Sequence, residues 1–162
     1  MDNKSIKLYN LIFPVYMLWL MPPAFLVVAI LNFIIDSIVI LITKKFLKIE
    51  NIFSKYKKVI LKVWLFGFIA DFIGASFLFG MSILFEFLDI PIKYNIDYNP
   101  FGNLYAFIIT LLGIMIASFL IYIFNKKFCY KKIDITEKQQ YVLSLVLSIV
   151  TAPYLFLLPI NW

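Results

Sequence analysis

Four long apolar segments alternate with short polar ones along the chain. They cover residues 8–43, 63–90, 104–125 and 141–162. Each reaches the roughly 20 residues that an α-helix needs to cross about 30 Å of hydrocarbon. They are apolar on nearly every side, whereas strands of a membrane barrel alternate in polarity over about ten residues. Because backbone amides in lipid need internal partners, the pattern predicts an all-α, polytopic bundle of transmembrane helices.

The first apolar segment is too long for one crossing, because about 36 helical residues would extend about 54 Å. Pro22 and Pro23 interrupt it, since proline lacks an amide donor and disfavours helical angles in the preceding residue. We therefore predict a full span over residues 23–43, after a short apolar helix over residues 5–21. The pattern leaves open whether this helix is a thin fifth span, re-enters the membrane or lies on its surface. A cleaved signal peptide competes with these interpretations, but no small-x-small cleavage pattern follows.

The remaining full spans are predicted over residues 63–88, 104–125 and 141–160. No long polar or Gly/Ser-rich stretch separates them, as a linker between domains would. Residues 1–162 are therefore expected to form a single integral membrane domain.

Lysines decide the predicted orientation. Residues 44–62 carry seven of them and residues 126–140 carry five, whereas residues 91–103 carry one. The positive-inside rule therefore places the first two segments in the cytoplasm and the third, a turn-rich loop, outside. The basic residues are all Lys, and Ile, Phe and Asn are abundant, which is typical of AT-rich coding. We accordingly expect a multi-pass protein of a bacterial cytoplasmic membrane.

The composition excludes a water-soluble fold. Hydrophobic residues make up 64% of the chain and charged ones only 15%, whereas soluble domains keep about a quarter of their residues charged. The net charge of +6 does not indicate a nucleic-acid partner, because the lysines flank apolar runs instead of forming a solvated patch.

The basic segment over residues 44–62 also carries an apolar stripe at helical spacing, formed by Ile49, Ile52, Phe53, Tyr56 and Ile60. The lysines around it are Lys48, Lys55, Lys57, Lys58 and Lys62. Two interpretations fit this pattern. One is an interfacial helix that contacts anionic lipid headgroups at the cytoplasmic face. The other is an ordinary loop whose lysines only fix the topology.

Two acidic residues, Asp36 and Asp71, fall within predicted spans. A charged side chain there costs a few kcal/mol or more unless something compensates, so intramembrane acids are candidates for function. Residues 32–38 and 67–73 share four identities in seven positions. In a chain so rich in Phe and Ile, this repeat is weak evidence of duplication.

The two acids are predicted to lie at similar depth. Asp36 precedes Lys44 by about eight residues and Asp71 follows Lys62 by about nine, which places both about 12 to 14 Å from the cytoplasmic side. Carboxylates that face each other cannot both ionise cheaply, so the pair would hold a proton or a cation. Asn32 lies one turn from Asp36 and can orient it. The alternative is a structural role, in which neutral acids only pin helix packing.

Small residues form faces on three of the predicted helices and let helices approach closely in lipid. We interpret them as packing residues around the acids: Gly67, Gly74, Gly113, Ala117, Ser144 and Ser148.

The chain lacks the residues that several classes of enzyme need. The chain has no His, which excludes the serine triad and the usual zinc sites. It has no glycine-rich phosphate loop, and Cys129 is its single Cys. An aspartic-protease dyad is disfavoured, because neither Asp follows a Gly-x-Gly motif. We therefore expect no enzymatic activity, no metal and no cofactor.

Two functions remain for such a protein. The first is a channel or transporter component that binds a proton or cation at the aspartates. The second is a non-catalytic accessory, assembly or regulatory membrane subunit. Four or five helices leave little room for a solute pathway, so either function is expected to need self-association or a larger membrane partner.

Overall fold

The computed structural model describes residues 14, 16–17, 22–50, 52–131 and 133–160. Within these ranges the chain is all-α and contains no β-strand, which confirms the predicted fold class. The helices are α1 (Pro22–Phe46), α2 (Ile52–Phe87), α3 (Lys93–Tyr98), α4 (Leu104–Phe124) and α5 (Glu137–Val150). Shorter turns are the 3₁₀ turns Pro100–Gly102 and Tyr154–Leu157 and the π-helical turn Asn125–Cys129.

Four of these elements are long and apolar enough to cross a membrane: α1, α2, α4 with its π-turn, and α5 with the 3₁₀ turn that follows. Large apolar side chains cover the outside of the bundle. On α1, Leu26 and Ile30 are each 60% exposed. A surface of this kind is stable against acyl chains and not against water. The protein is therefore a multi-pass membrane protein.

Helix α2 is longer than the predicted span over residues 63–88. It begins at Ile52 and its 36 residues extend about 54 Å, well beyond the hydrocarbon thickness. The basic segment is thus not a separate helix between two spans. No Pro or Gly interrupts residues 52–66, so the helix continues from the lysines into the membrane. The apolar stripe of this segment is divided, because Ile49 and Ile60 pack into the bundle core whereas Phe53 is 73% exposed.

The largest helix interface joins α2 and α4. Its closest point lies at Gly74, where an added Cβ would meet the Gly113 carbonyl oxygen at 2.9 Å and the Ala117 Cβ at 3.0 Å. A Cβ on Gly113 would in turn meet Leu78 at 2.9 Å. Backbones that pack this closely gain dispersion contacts that larger side chains would prevent.

The last span begins earlier than the predicted residues 141–160, and its regular helix α5 ends at Val150. Helix α5 starts at a capping box in which Thr136 accepts from the Gln139 amide and the Gln139 side chain accepts from the Thr136 amide. It ends at Val150, because Pro153 has no amide to donate and biases Ala152 away from helical angles. Residues 151–153 form no regular helix, and the chain continues as the 3₁₀ turn Tyr154–Leu157.

Both lysine-rich segments lie at one end of the bundle, here called the lysine end. Two hydrogen bonds join them: Lys55 Nζ donates to the Asp134 carbonyl at 2.7 Å, and Gln139 Nε2 donates to the Leu47 carbonyl at 3.3 Å. The two lysine-rich segments, which the positive-inside rule places on the same side of the membrane, are thus in contact.

The opposite end contains α3 and the chain near residue 160, where the Ile160 amide donates to the Tyr98 carbonyl at 2.7 Å. The predicted loop over residues 91–103 is therefore partly helical. Most of the predicted short helix over residues 5–21 lies outside the described residues. Of that segment, Tyr16 contacts this opposite end through its hydroxyl.

Candidate functional site

A cavity of about 900 Å³ lies between α1, α2 and residues 150–158. All three residues predicted to bind a proton or cation, Asn32, Asp36 and Asp71, line it. They reach it from two helices, because the acids face inward on α1 and α2 where these helices pack together. The cavity is otherwise mostly apolar, as small-molecule sites in proteins usually are.

The two acids approach each other across the contact between α1 and α2. Asp36 is 5% exposed, and its Oδ2 lies 3.9 Å from the position of a Cβ on Gly67. Asp71 follows Gly67 by one helical turn and therefore lies on the same face of α2. The equal depth of the two carboxyl groups stays a prediction.

The two acids therefore share one region of the cavity. From the irregular segment after α5, Thr151 also lines the cavity, and its hydroxyl donates to the Leu147 carbonyl at 2.9 Å. Asp71 Oδ1 is buried and has no hydrogen-bond partner among the described residues. A buried oxygen without a partner costs about 1 to 3 kcal/mol, so this atom favours a proton, a cation or water.

The irregular backbone after α5 forms part of the cavity wall. Val150, Thr151, Ala152 and Pro153 all line it. Non-helical backbone at membrane depth is tolerated where it is buried in protein or borders a polar cavity. Broken helices of this kind place unpaired carbonyl groups beside ion sites in transporters. Thr151 is not among the residues that the sequence predicts at the site, although it lines the cavity.

The predicted packing residues have different positions. Gly67 lines the cavity, whereas Gly74, Gly113 and Ala117 lie at the crossing of α2 and α4. Ser148 donates to the Leu145 carbonyl at 2.9 Å, and its own carbonyl accepts from Ser118 at 2.6 Å.

Several buried polar atoms lack a hydrogen-bond partner within the described ranges: Lys44 Nζ, Asn125 Oδ1, Tyr130 Oη and Ser144 Oγ. Their side chains are all fully buried. They occur in the half of the bundle nearest the lysine end, because they lie close to the ends of α1 and α4 or to the start of α5. Buried polar groups usually bond to protein or ordered water, so this half of the interior is suited to hydration.

The predicted lipid-binding lysines lie at the lysine end. Lys48, Lys57, Lys58 and Lys62 are exposed. Lys55 is partly buried and is occupied by its bond to Asp134. Four of the five are therefore available to an anionic surface.

One buried acid was not identified from the sequence. Asp97 on α3 is 7% exposed. Its Oδ1 accepts from the Tyr16 hydroxyl and its Oδ2 from Ser82 Oγ, at 3.0 Å for the latter. Burial raises the pKa of Asp97, and the two hydrogen bonds oppose that shift. The four-residue spacing of Ile92 and Ile96 is the signal that could have indicated a helix with a buried face.

No protein-family model, curated protein or solved structure matches this chain.

Proposed function

We propose that this chain is a component of a channel or transporter that binds a proton or cation at Asp36 and Asp71. The carrying observation is that both carboxyl groups line one cavity, where Asp71 Oδ1 has no partner among the described residues. A site built only to hold helices together would satisfy its buried oxygens internally. The proposed role requires binding and release, with no covalent chemistry.

Access from the lysine end supports this proposal. Lys44, Asn125, Tyr130 and Ser144 each present a buried polar atom without a described partner in the half of the bundle nearest that end. Water bound to such atoms would connect the lysine end with the acids. Hydrated polar chains of this kind carry protons in membrane pumps and transporters.

The lysine end is proposed to face the cytoplasm of a bacterial cell. The positive-inside rule favours this orientation, and Lys48, Lys57, Lys58 and Lys62 are exposed where anionic headgroups would lie. A Lys near an anionic leaflet gains about 1 kcal/mol. The anionic lipid is thus a structural partner in this proposal. The small number of spans favours a second copy or a larger membrane protein as the other partner.

The proposal can be tested by flux in vesicles. The purified protein is reconstituted, a proton or cation gradient is imposed, and its decay is followed with a pH-sensitive or cation-sensitive dye. We expect wild-type protein to accelerate the decay and Asp36→Asn with Asp71→Asn to abolish the acceleration. Asp134→Asn is the matched control, because Asp134 is an exposed acid at the lysine end, and it should leave the flux unchanged.

The accessory-subunit alternative has one observation in its favour, the burial of Asp36, which is 5% exposed where α1 packs against α2. It predicts no flux for wild-type protein and a partner that co-purifies with it. Loss of that partner in the double Asn variant, without any flux in the wild type, would replace the proposal.

A further inference from the structure

We propose that the cavity binds a hydrophobic organic cation, with the cationic group at Asp36 and Asp71 and the apolar body against the aromatic side chains that line the cavity. This inference rests on the proposed function, because it assigns a ligand class to the same site. It goes beyond a proton or a bare metal ion, which would use only the carboxyl groups.

The charge of the cavity favours a cation. Its described lining includes two carboxyl groups and no lysine. One Asp71 oxygen has no described partner, and Asp36 is buried beside it in the same cavity. A cation placed between them would relieve the cost of holding two acids close together in a medium of low dielectric constant.

The side chains that line the cavity favour a ligand whose remaining part is apolar and packs against aromatic rings. Phe25, Trp64 and Phe68 line the cavity and form a continuous group, with ring centroids 5.6 Å apart for Phe25 and Phe68 and 5.3 Å apart for Trp64 and Phe68. Aromatic rings attract cations and pack well against apolar groups. A hydrated inorganic ion would gain nothing from this part of the cavity.

The position of the cavity favours entry from the membrane. Leu31, Ile35 and Leu155 line it and are 43 to 51% exposed on the outside of the described bundle. Those surfaces face acyl chains in a membrane. A ligand that partitions into lipid can therefore reach the cavity without crossing water.

The volume agrees with an organic ligand. At about 900 Å³ the cavity lies near the upper end of the range of about 300 to 1,000 Å³ that small-molecule sites cover. A proton or a single metal ion fills a small fraction of that space.

Binding can be measured by equilibrium dialysis of the detergent-solubilised protein against tetraphenylphosphonium, a hydrophobic monocation. Triphenylphosphine oxide, which is neutral and carries similar rings, is the comparison probe. We expect saturable binding of one cation per chain, and binding of the neutral probe weaker by at least about tenfold, which corresponds to about 1.4 kcal/mol. Equal affinity for the two probes would overturn the inference.

Two variants test the assigned position. Asp36→Asn with Asp71→Asn should weaken cation binding at least about tenfold, and Asp134→Asn should not change it. Gly67→Leu keeps both acids but fills the cavity beside Asp36, where a Gly67 Cβ has only that Oδ2 within 4 Å. It should also weaken binding at least about tenfold. Gly80→Leu is its control, because nothing lies within 4 Å of a Cβ there.

Folding is checked by helical circular dichroism and elution as a single species. If the double Asn variant does not fold, Gly67→Leu against Gly80→Leu decides the question, and unchanged affinity in Gly67→Leu overturns the inference. Proton or metal-ion flux that persists without tetraphenylphosphonium binding would overturn the inference and leave the proposed function intact. Tetraphenylphosphonium binding that requires Asp36 and Asp71, without any flux, would support the inference and overturn the proposed function.

Discussion

The protein buries carboxyl groups in two regions, and their oxygens differ in the hydrogen bonds that they accept. At the end opposite the lysines, Asp97 accepts hydrogen bonds from Tyr16 and Ser82 on both of its oxygens. In the cavity, Asp71 keeps a buried oxygen without a described partner and shares the space with Asp36. The same residue type thus has hydrogen bonds on both oxygens in one region and a buried oxygen without a described partner in the other.

The difference shows that burial alone does not identify a functional acid. Both regions remove a carboxyl group from water, which is costly in either place. Only the hydrogen-bond inventory separates them. Between the two regions along α2 lies the crossing with α4 at Gly74 and Gly113, which packs too tightly to admit a Cβ.

The largest effect is expected from Asp97→Ala. It leaves the hydroxyls of Tyr16 and Ser82 without their acceptor, and buried unpaired groups cost about 1 to 3 kcal/mol each. We expect the free energy of unfolding to fall by about 3 kcal/mol, measured by denaturant titration in mixed micelles. Asp134→Ala removes an exposed acid and should change it by less than about 0.5 kcal/mol. Equal effects of the two variants would remove the structural role of Asp97.

The next effect tests the crossing that separates the two regions. Gly74→Ala places a Cβ 2.9 Å from the Gly113 carbonyl oxygen, and such overpacking costs about 1 to 3 kcal/mol. Gly80→Ala meets nothing within 4 Å and should stabilise α2 by up to about 1 kcal/mol through helix propensity. The two changes are identical in chemistry, so unfolding energies that move in the same direction would contradict the close approach.

A smaller effect is expected in the pH dependence of stability. Because burial raises the pKa of Asp97, the folded state holds this proton at pH values where the unfolded state has released it. The free energy of unfolding should therefore decline as pH rises from the unfolded pKa of about 3.9 to the higher folded pKa, and level off above it. The neighbouring charged groups are Lys93, whose charge lowers the pKa of Asp97, and Glu86, whose charge raises it.

The Asp97→Asn variant isolates that contribution, because an amide does not titrate in this range. The difference in unfolding free energy between wild type and variant should carry the decline just described. A difference that rises with pH would mean that the folded state stabilises the carboxylate and not the neutral acid.

The smallest effect on stability is expected from Asp71→Asn. The replaced Oδ1 makes no described hydrogen bond, so the change loses none and removes an ionisable group from the interior. We expect unfolding energies within about 0.5 kcal/mol of wild type, even though the same change contributes to the loss of flux. A loss as large as that of Asp97→Ala would make Asp71 a structural tie and favour the accessory subunit.

The sequence predicted the number and position of the spans because a run of apolar residues reports directly on lipid as the solvent. The predicted spans over residues 23–43 and 104–125 agree closely with α1 (Pro22–Phe46) and α4 (Leu104–Phe124). It missed the early start of α2, because lysines mark the membrane boundary and not the end of a helix. Pro153 indicates that a helix ends near it, but the position of this end within the membrane depends on where α5 begins.

The site was only partly predictable. Asp36 and Asp71 could be singled out because acids in apolar runs are rare. Their meeting in one cavity depends on how α1 and α2 pack, which no local pattern encodes. Asp97 was hidden because it lies in a polar segment, where an acid is expected to reach water, and its partners Tyr16 and Ser82 are distant in the chain.

The unbroken length of α2 gives these two regions a mechanical connection. Asp71 and Ser82 lie on the same helix, separated by about 16 Å. The close contact of α2 with α4 at Gly74 lies between them. If α2 tilted about this contact and widened the space around Asp71, Ser82 would move relative to Asp97. A ligand bound in the cavity would then change the distance between Ser82 and Asp97 at the other end of α2.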